Sequence, residues 1–227
     1  MAVGLDWNPG NRAKPGFEAE FRDVFLRIRA REGDDRNALV ERFHEISSTA
    51  FATLGAPVVG RDPEADEWAR QLRLDLDRDE SEEEFLAGLN GFAVLPLVPP
   101  CDGLPRYTNG SPGGYVEAYA FRAQFLHDCE ADIGSELMNS AYESKLPDEL
   151  MVYGRQLLAK AEDLAGRHGL DPHNLVIPDK IPTWDEFEAG ERPPKEWSVE
   201  HRVDVAHSAG RWCVFWAERG HILDAYW

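Results

Sequence analysis

The feature that most constrains the fold of this chain begins at Pro147. Beyond it Leu150, Gly154, Leu157, Ala161 and Leu164 recur at intervals of three and four up to His168-Gly169, which places them on one face of an α-helix. Proline at the first turn and glycine after the last suit the two ends of such a helix. A second long helix is predicted after Ser198, a cap residue, with Val203, Ala206, Gly210, Cys213 and Ala217 buried and Gly220 as its stop. Two such apolar stripes must each be covered by other elements, so helix packing dominates the architecture.

Shorter segments fill in the rest. Phe17, Phe21, Val24 or Phe25, and Ile28 predict a helix ending near Arg31, and Asp35 caps a second one carrying Leu39, Phe43, Ile46 and Ala50, so the two read as a helical hairpin. Asp62-Pro63 opens a third helix along Ala65, Trp68 and Leu72. Ser81 and Glu84 form a capping-box pair that starts a short acidic helix over residues 82–90. Thr183 with Glu186 repeats that pattern. Strands are expected at 72–76, where leucines alternate with charges, and at 92–98, 115–121 and 175–177. Pro96 confines the second of these to an edge or a bulge. Residues 1–16, rich in Gly and Pro, are expected to be an extended N-terminal arm on the surface of one globular domain spanning 17–227. The fold class is therefore α+β: a mostly helical single domain with a small antiparallel β element.

Charge narrows the partners. The chain has 42 acids against 24 lysines and arginines, a formal net charge of −18 over 227 residues. Seven of those acids crowd into ten positions: Asp75, Asp77, Asp79, Glu80, Glu82, Glu83 and Glu84. Such a surface repels phosphate backbones and anionic lipid, so nucleic acid and membranes are excluded as partners and a basic protein partner is the candidate for this run. Cys101, Cys129 and Cys213 form no CxxC pair and no even-numbered framework, and they read as reduced thiols of a cytoplasmic protein. Oligomeric state stays open, since the aromatic end Ala225-Tyr226-Trp227 fits packing on its own core or across a dimer equally well.

Motifs for chemistry are incomplete. Ala206-His207-Ser208-Ala209-Gly210 departs from the Gly-x-Ser-x-Gly elbow at its first position and lies too near the C-terminus for the partners of such a serine. Asp75-x-Asp77-x-Asp79 starts like a calcium loop, but Glu80 and Leu86 stand where that loop needs Gly and Glu. No glycine cluster completes a phosphate-binding motif. What remains is a set of metal-ligand types: His127 and Glu130 within His127-Asp128-Cys129-Glu130-Ala131-Asp132, Asp204 and His207 on one stripe of the last helix, and His221 just beyond it. Brought together, these residues suit a divalent transition metal that activates water, with the irregular segment 99–114 above the pocket. Two functions are thus expected from the sequence. The leading one is a non-enzymatic adaptor or neutralising module that binds protein through its acidic face, and the alternative is a metal-dependent hydrolase.

Overall fold

The computed structural model describes residues 4–31, 36–98, 120–179, 186, 188–191 and 194–227. The protein has an α+β fold, mostly helical, with a three-stranded antiparallel sheet. Its described residues form two compact units, Thr49–Cys101 and the remainder of the chain.

The larger unit is organised around its two longest helices. The first of them, α8 (Pro147–His168), starts where the Leu146 N–H donates to Glu149 Oε2 at 2.9 Å and ends at Gly169, whose φ of 67° needs no Cβ. Its buried face is Leu150, Tyr153, Gly154, Leu157, Ala161, Leu164 and Ala165, the stripe read from the sequence with Tyr153 and Ala165 added. Against it lies α9 (Val199–Glu218), capped by Ser198 Oγ, which accepts the His201 N–H at 3.1 Å. This helix is buried nearly all round between His201 and Ala217, the pattern of a central helix. Gly154 and Gly210 face each other across the crossing, where a Cβ on Gly154 would meet Cys213 Cβ at 2.7 Å and one on Gly210 would meet the Gly154 carbonyl at 2.9 Å.

The sheet follows the order β2 (Ser47–Ser48), β1 (Asp6–Ala13), β3 (His221–Tyr226), with both pairs antiparallel. The segment expected as a surface arm is thus extended, but it is the middle strand, and Leu5 and Trp7 are buried. Register runs Asp6↔Tyr226 through Pro9↔Leu223 and shifts before Arg12↔His221. That irregularity falls at Pro9-Gly10, where proline lacks a donor and a Cβ on Gly10 would lie 2.5 Å from Ile222 Cγ1. Trp7 stacks on Phe121 at 5.4 Å, meets Tyr153 edge-on at 5.8 Å, and donates its indole N–H to the Ala141 carbonyl at 2.8 Å.

Helices α1 (Glu18–Ala30) and α2 (Arg36–Glu45) form the expected hairpin, with Phe21 stacked on Phe43 at 5.0 Å, but α2 stops before Ile46, and Ala50, expected on its face, opens the next helix beyond β2. The capping role assigned to Asp35 lies outside the described residues, as do Thr183, most of 115–121, and the segment 99–114. A 3₁₀ stretch (Ala123–Cys129) and two short helices, α6 (Glu130–Ile133) and α7 (Ser135–Ser140), lead into α8.

The smaller unit holds α3 (Ala50–Leu54), α4 (Pro63–Asp75) and α5 (Glu82–Gly88), and α4 and α5 close over Val59, Ala65, Ala69, Phe85 and Val94. The strand expected at 72–76 is instead the last turn of α4 and its cap. Burial of Ala65 and Ala69 with Trp68 and Leu72 sets a helical phase that turns Leu74 and Leu76 outward. The strand expected at 92–98 is reduced to a single bridge, Val58↔Ala93, before a 3₁₀ turn at Leu95–Leu97. Residues 175–177 pair with no strand among the described residues, and Val176 is exposed.

Candidate functional site

A cavity of about 1290 Å³ in the larger unit opens between α1, α8, the turn Tyr142–Lys145 and the end of β3. Lys145 sits in its lining and is only 5% exposed. Strand-like pairing fixes it there: the Lys145 N–H donates to the Leu223 carbonyl at 3.0 Å and the Leu223 N–H returns a bond of 2.9 Å. Its Nζ donates to the carbonyls of Ser140 and Glu143, the latter at 2.9 Å, and lies 4.7 Å from the centre of the Tyr153 ring. No carboxylate among the described residues is within ion-pairing distance of this ammonium. Burial pushes the Lys145 pKa below the usual lysine range, against the opposing pull of Glu143.

Several neighbouring charges are paired, and Arg31, Arg36 and Glu143 line the cavity besides. Arg29 holds Glu149 through two bonds of 2.6 and 3.1 Å, and Arg22 holds Asp148 at 3.0 and 3.1 Å. Burial pushes Glu149 upward, but the Arg29 guanidinium and the Leu146 N–H outweigh it and leave the carboxyl below its ordinary range. Asp224 Oδ1 accepts the Ser144 hydroxyl at 3.3 Å.

At the edge of the same cavity the structure joins two residues singled out from the sequence to one that was not. His127 Nδ1 lies 3.3 Å from Glu130 Oε2, and His127 Nε2 lies 2.8 Å from Tyr142 Oη. Both contacts are satisfied when Nδ1 carries the proton and Nε2 accepts from the phenol. Tyr142 also meets Trp227 edge-on at 5.9 Å, and its carbonyl accepts the Trp227 indole N–H at 3.1 Å. The aromatic C-terminus therefore packs on its own chain, at the rim of the cavity.

The other metal-ligand candidates lie elsewhere. Asp204 Oδ1 accepts the Ser208 hydroxyl at 3.5 Å along α9. His207 is buried and meets His173 edge-on at 4.8 Å, and burial pushes its pKa down to about 4 with help from His173 and Arg211. His221 donates from Nδ1 to the Gly10 carbonyl at 2.7 Å and packs on Trp216, and its pKa is lowered chiefly by burial. In the same stretch, Asp128 reaches His201 at 3.0 Å and Asp132 reaches Arg202 at 2.8 Å, so these acids dock the 3₁₀ segment and α6 onto α9. Among the described residues no three His, Cys, Asp or Glu side chains form a group able to hold a metal. Cys129 and Cys213 are free and buried, with burial raising both thiols and taking Cys129 to about 12.

The acidic run belongs to the smaller unit, and all seven of its carboxylates are exposed. Three are engaged locally: Asp75 by Gln71 at 2.7 Å, Glu82 by Arg70 at 2.8 Å, and Glu84 in a complete capping box with Ser81. Asp77, Asp79, Glu80 and Glu83 make no side-chain hydrogen bond or ion pair among the described residues. Beside them Leu74 and Leu76 are 61% and 52% exposed.

Compared with protein families, curated proteins and solved structures, the chain matches none. No helix among the described residues is long and apolar enough to cross a membrane.

Proposed function

We propose that this is a non-enzymatic cytoplasmic protein whose smaller unit binds a basic protein partner through the edge between α4 and α5. The observation that carries the reading is the mixture at that edge. Two exposed leucines lie among four unpartnered carboxylates, where a face serving solubility alone needs no leucine. Each leucine, if covered, contributes up to roughly 1.5–3 kcal/mol, while an exposed ion pair contributes about 0.2–1 kcal/mol. The leucines thus supply most of the affinity, and the carboxylates supply orientation and fast, salt-sensitive encounter.

Two variants and one control test this. Leu74→Ser with Leu76→Ser removes the apolar part, and Asp77→Lys, Asp79→Lys and Glu80→Lys together invert the charge. Glu136→Lys, Glu162→Lys and Glu218→Lys make the same change in net charge on exposed positions of the larger unit. A partner cross-linked to the parent protein must be lost from both variants, kept by the control, and weakened by added salt. Loss in the control to the same degree, or no loss in either variant, refutes the docking edge.

A further inference from the structure

Lys145 presents a chemical imbalance that neither the fold nor the docking edge uses. An ammonium has three donors and a full charge; two donors meet the carbonyls of Ser140 and Glu143, which carry no charge, and no carboxylate comes within ion-pairing distance. A cation buried to this degree is costly unless a counter-charge reaches it. Of the acids that line the cavity, Asp148 and Glu149 pair with arginines and Asp224 accepts from Ser144, while the Glu143 carboxylate pulls on the ammonium from beyond ion-pairing distance. The same cavity lining also leaves large apolar side chains in water: Val152, Tyr226 and Trp227 are 58%, 53% and 69% exposed. Together these are the parts of a small-molecule site, a concave and half-apolar cavity whose polar lining includes a fixed, buried cation.

We propose that this cavity binds a small organic monocarboxylate, with its carboxylate on Lys145 and its aromatic or aliphatic body against Val152, Tyr226 and Trp227. Arg31 and Arg36 also line the cavity, but at the ammonium itself one positive charge flanked by two carbonyl oxygens favours a monoanion. A phosphate dianion exceeds that one charge and brings more oxygens against the same carbonyls. The lowered pKa of the lysine accords with a cation that lacks its counter-ion in the free protein. This inference concerns the larger unit only, so it stands or falls independently of the docking edge.

The test is calorimetric titration of the full chain with 2-naphthoate, 2-naphthamide, octanoate and inorganic phosphate. A charge-assisted hydrogen bond makes the acid bind at least about tenfold more tightly than the isosteric amide. Lys145→Met should abolish that preference. Because this lysine also ties two carbonyls, Val152→Glu serves as the second variant; it adds an anion to the wall from an exposed position and should weaken naphthoate at least several-fold. Equal affinity for acid and amide refutes the proposal, as does the absence of saturable carboxylate binding up to millimolar concentration. Phosphate binding as tight as naphthoate refutes the assigned ligand class.

Discussion

Gly154→Ala is the substitution whose sign most sharply tests the helix crossing beneath the cavity. Its new Cβ would sit 2.7 Å from Cys213 Cβ, 3.0 Å from the Gly210 carbonyl oxygen and 3.1 Å from the Val214 nitrogen. Ordinary carbon contacts lie at about 3.5–4.0 Å, so the deficit approaches about 1 Å. Two of the three atoms are backbone, and relief requires α9 to move away from α8. Overpacking of this kind costs about 1–3 kcal/mol, against roughly 0.5–1 kcal/mol that alanine contributes over glycine inside a helix. The net expectation is a loss of about 1–2 kcal/mol. Gly166, on the same helix, has nothing within 4 Å of its Cβ position, so Gly166→Ala should stabilise by up to about 1 kcal/mol through propensity alone. Gly210→Ala meets Leu158 Cγ at 2.8 Å and the Gly154 carbonyl at 2.9 Å, and its cost should add to that of Gly154→Ala less than fully, because either alanine opens the same gap. Urea unfolding followed by tryptophan fluorescence reads all four proteins, since Trp7, Trp212 and Trp216 are buried in the larger unit. If Gly154→Ala and Gly166→Ala shift the midpoint in the same direction, the close approach is not what holds these helices.

Acid should weaken the larger unit through His207. Its folded pKa near 4 lies below the unfolded value of about 6.5, so as pH falls the unfolded chain takes up the proton first. The stability this confers is complete above about pH 6.5 and is lost on the way down to about 4, an effect of order 2–3 kcal/mol. His207→Gln should flatten the unfolding midpoint over that window, with His221, also lowered by burial, leaving a residual slope of the same sign. Trp7→Phe should cost about 2–4 kcal/mol in chemical denaturation, because it opens a cavity and strands the Ala141 carbonyl. Ser81→Ala should cost about 1 kcal/mol in the smaller unit and raise hydrogen exchange at the Glu84 amide, with no change at α8.

What the sequence discloses here depends on how far away each residue's partner lies. The helices α8 and α9 were legible because caps and apolar spacing are local, and so was the Ser81–Glu84 box. The strand Asp6–Ala13 was not, because Asn8-Pro9-Gly10 breaks the alternation that would announce it and its pairing partner is the far end of the chain. The alternating leucines at 72–76 misled for the converse reason: charges between them mimic a strand, while the phase of the helix is set earlier, by Ala65 and Ala69. The same rule governs the sites. The acidic run was legible because exposed carboxylates answer mainly to solvent and to near neighbours such as Gln71 and Arg70. His127 and Glu130 were read as metal ligands, but the structure sets them beside each other with Tyr142, fifteen residues from His127, and not with Asp204, His207 or His221. Lys145 gave no signal at all. Between Ser144 and Leu146 it reads as an ordinary surface lysine, and only Leu223, paired with its backbone, and Tyr153, beneath its ammonium, bury it. A buried cation created by tertiary closure leaves no local pattern, so Lys145 shows nothing of its surroundings in the sequence.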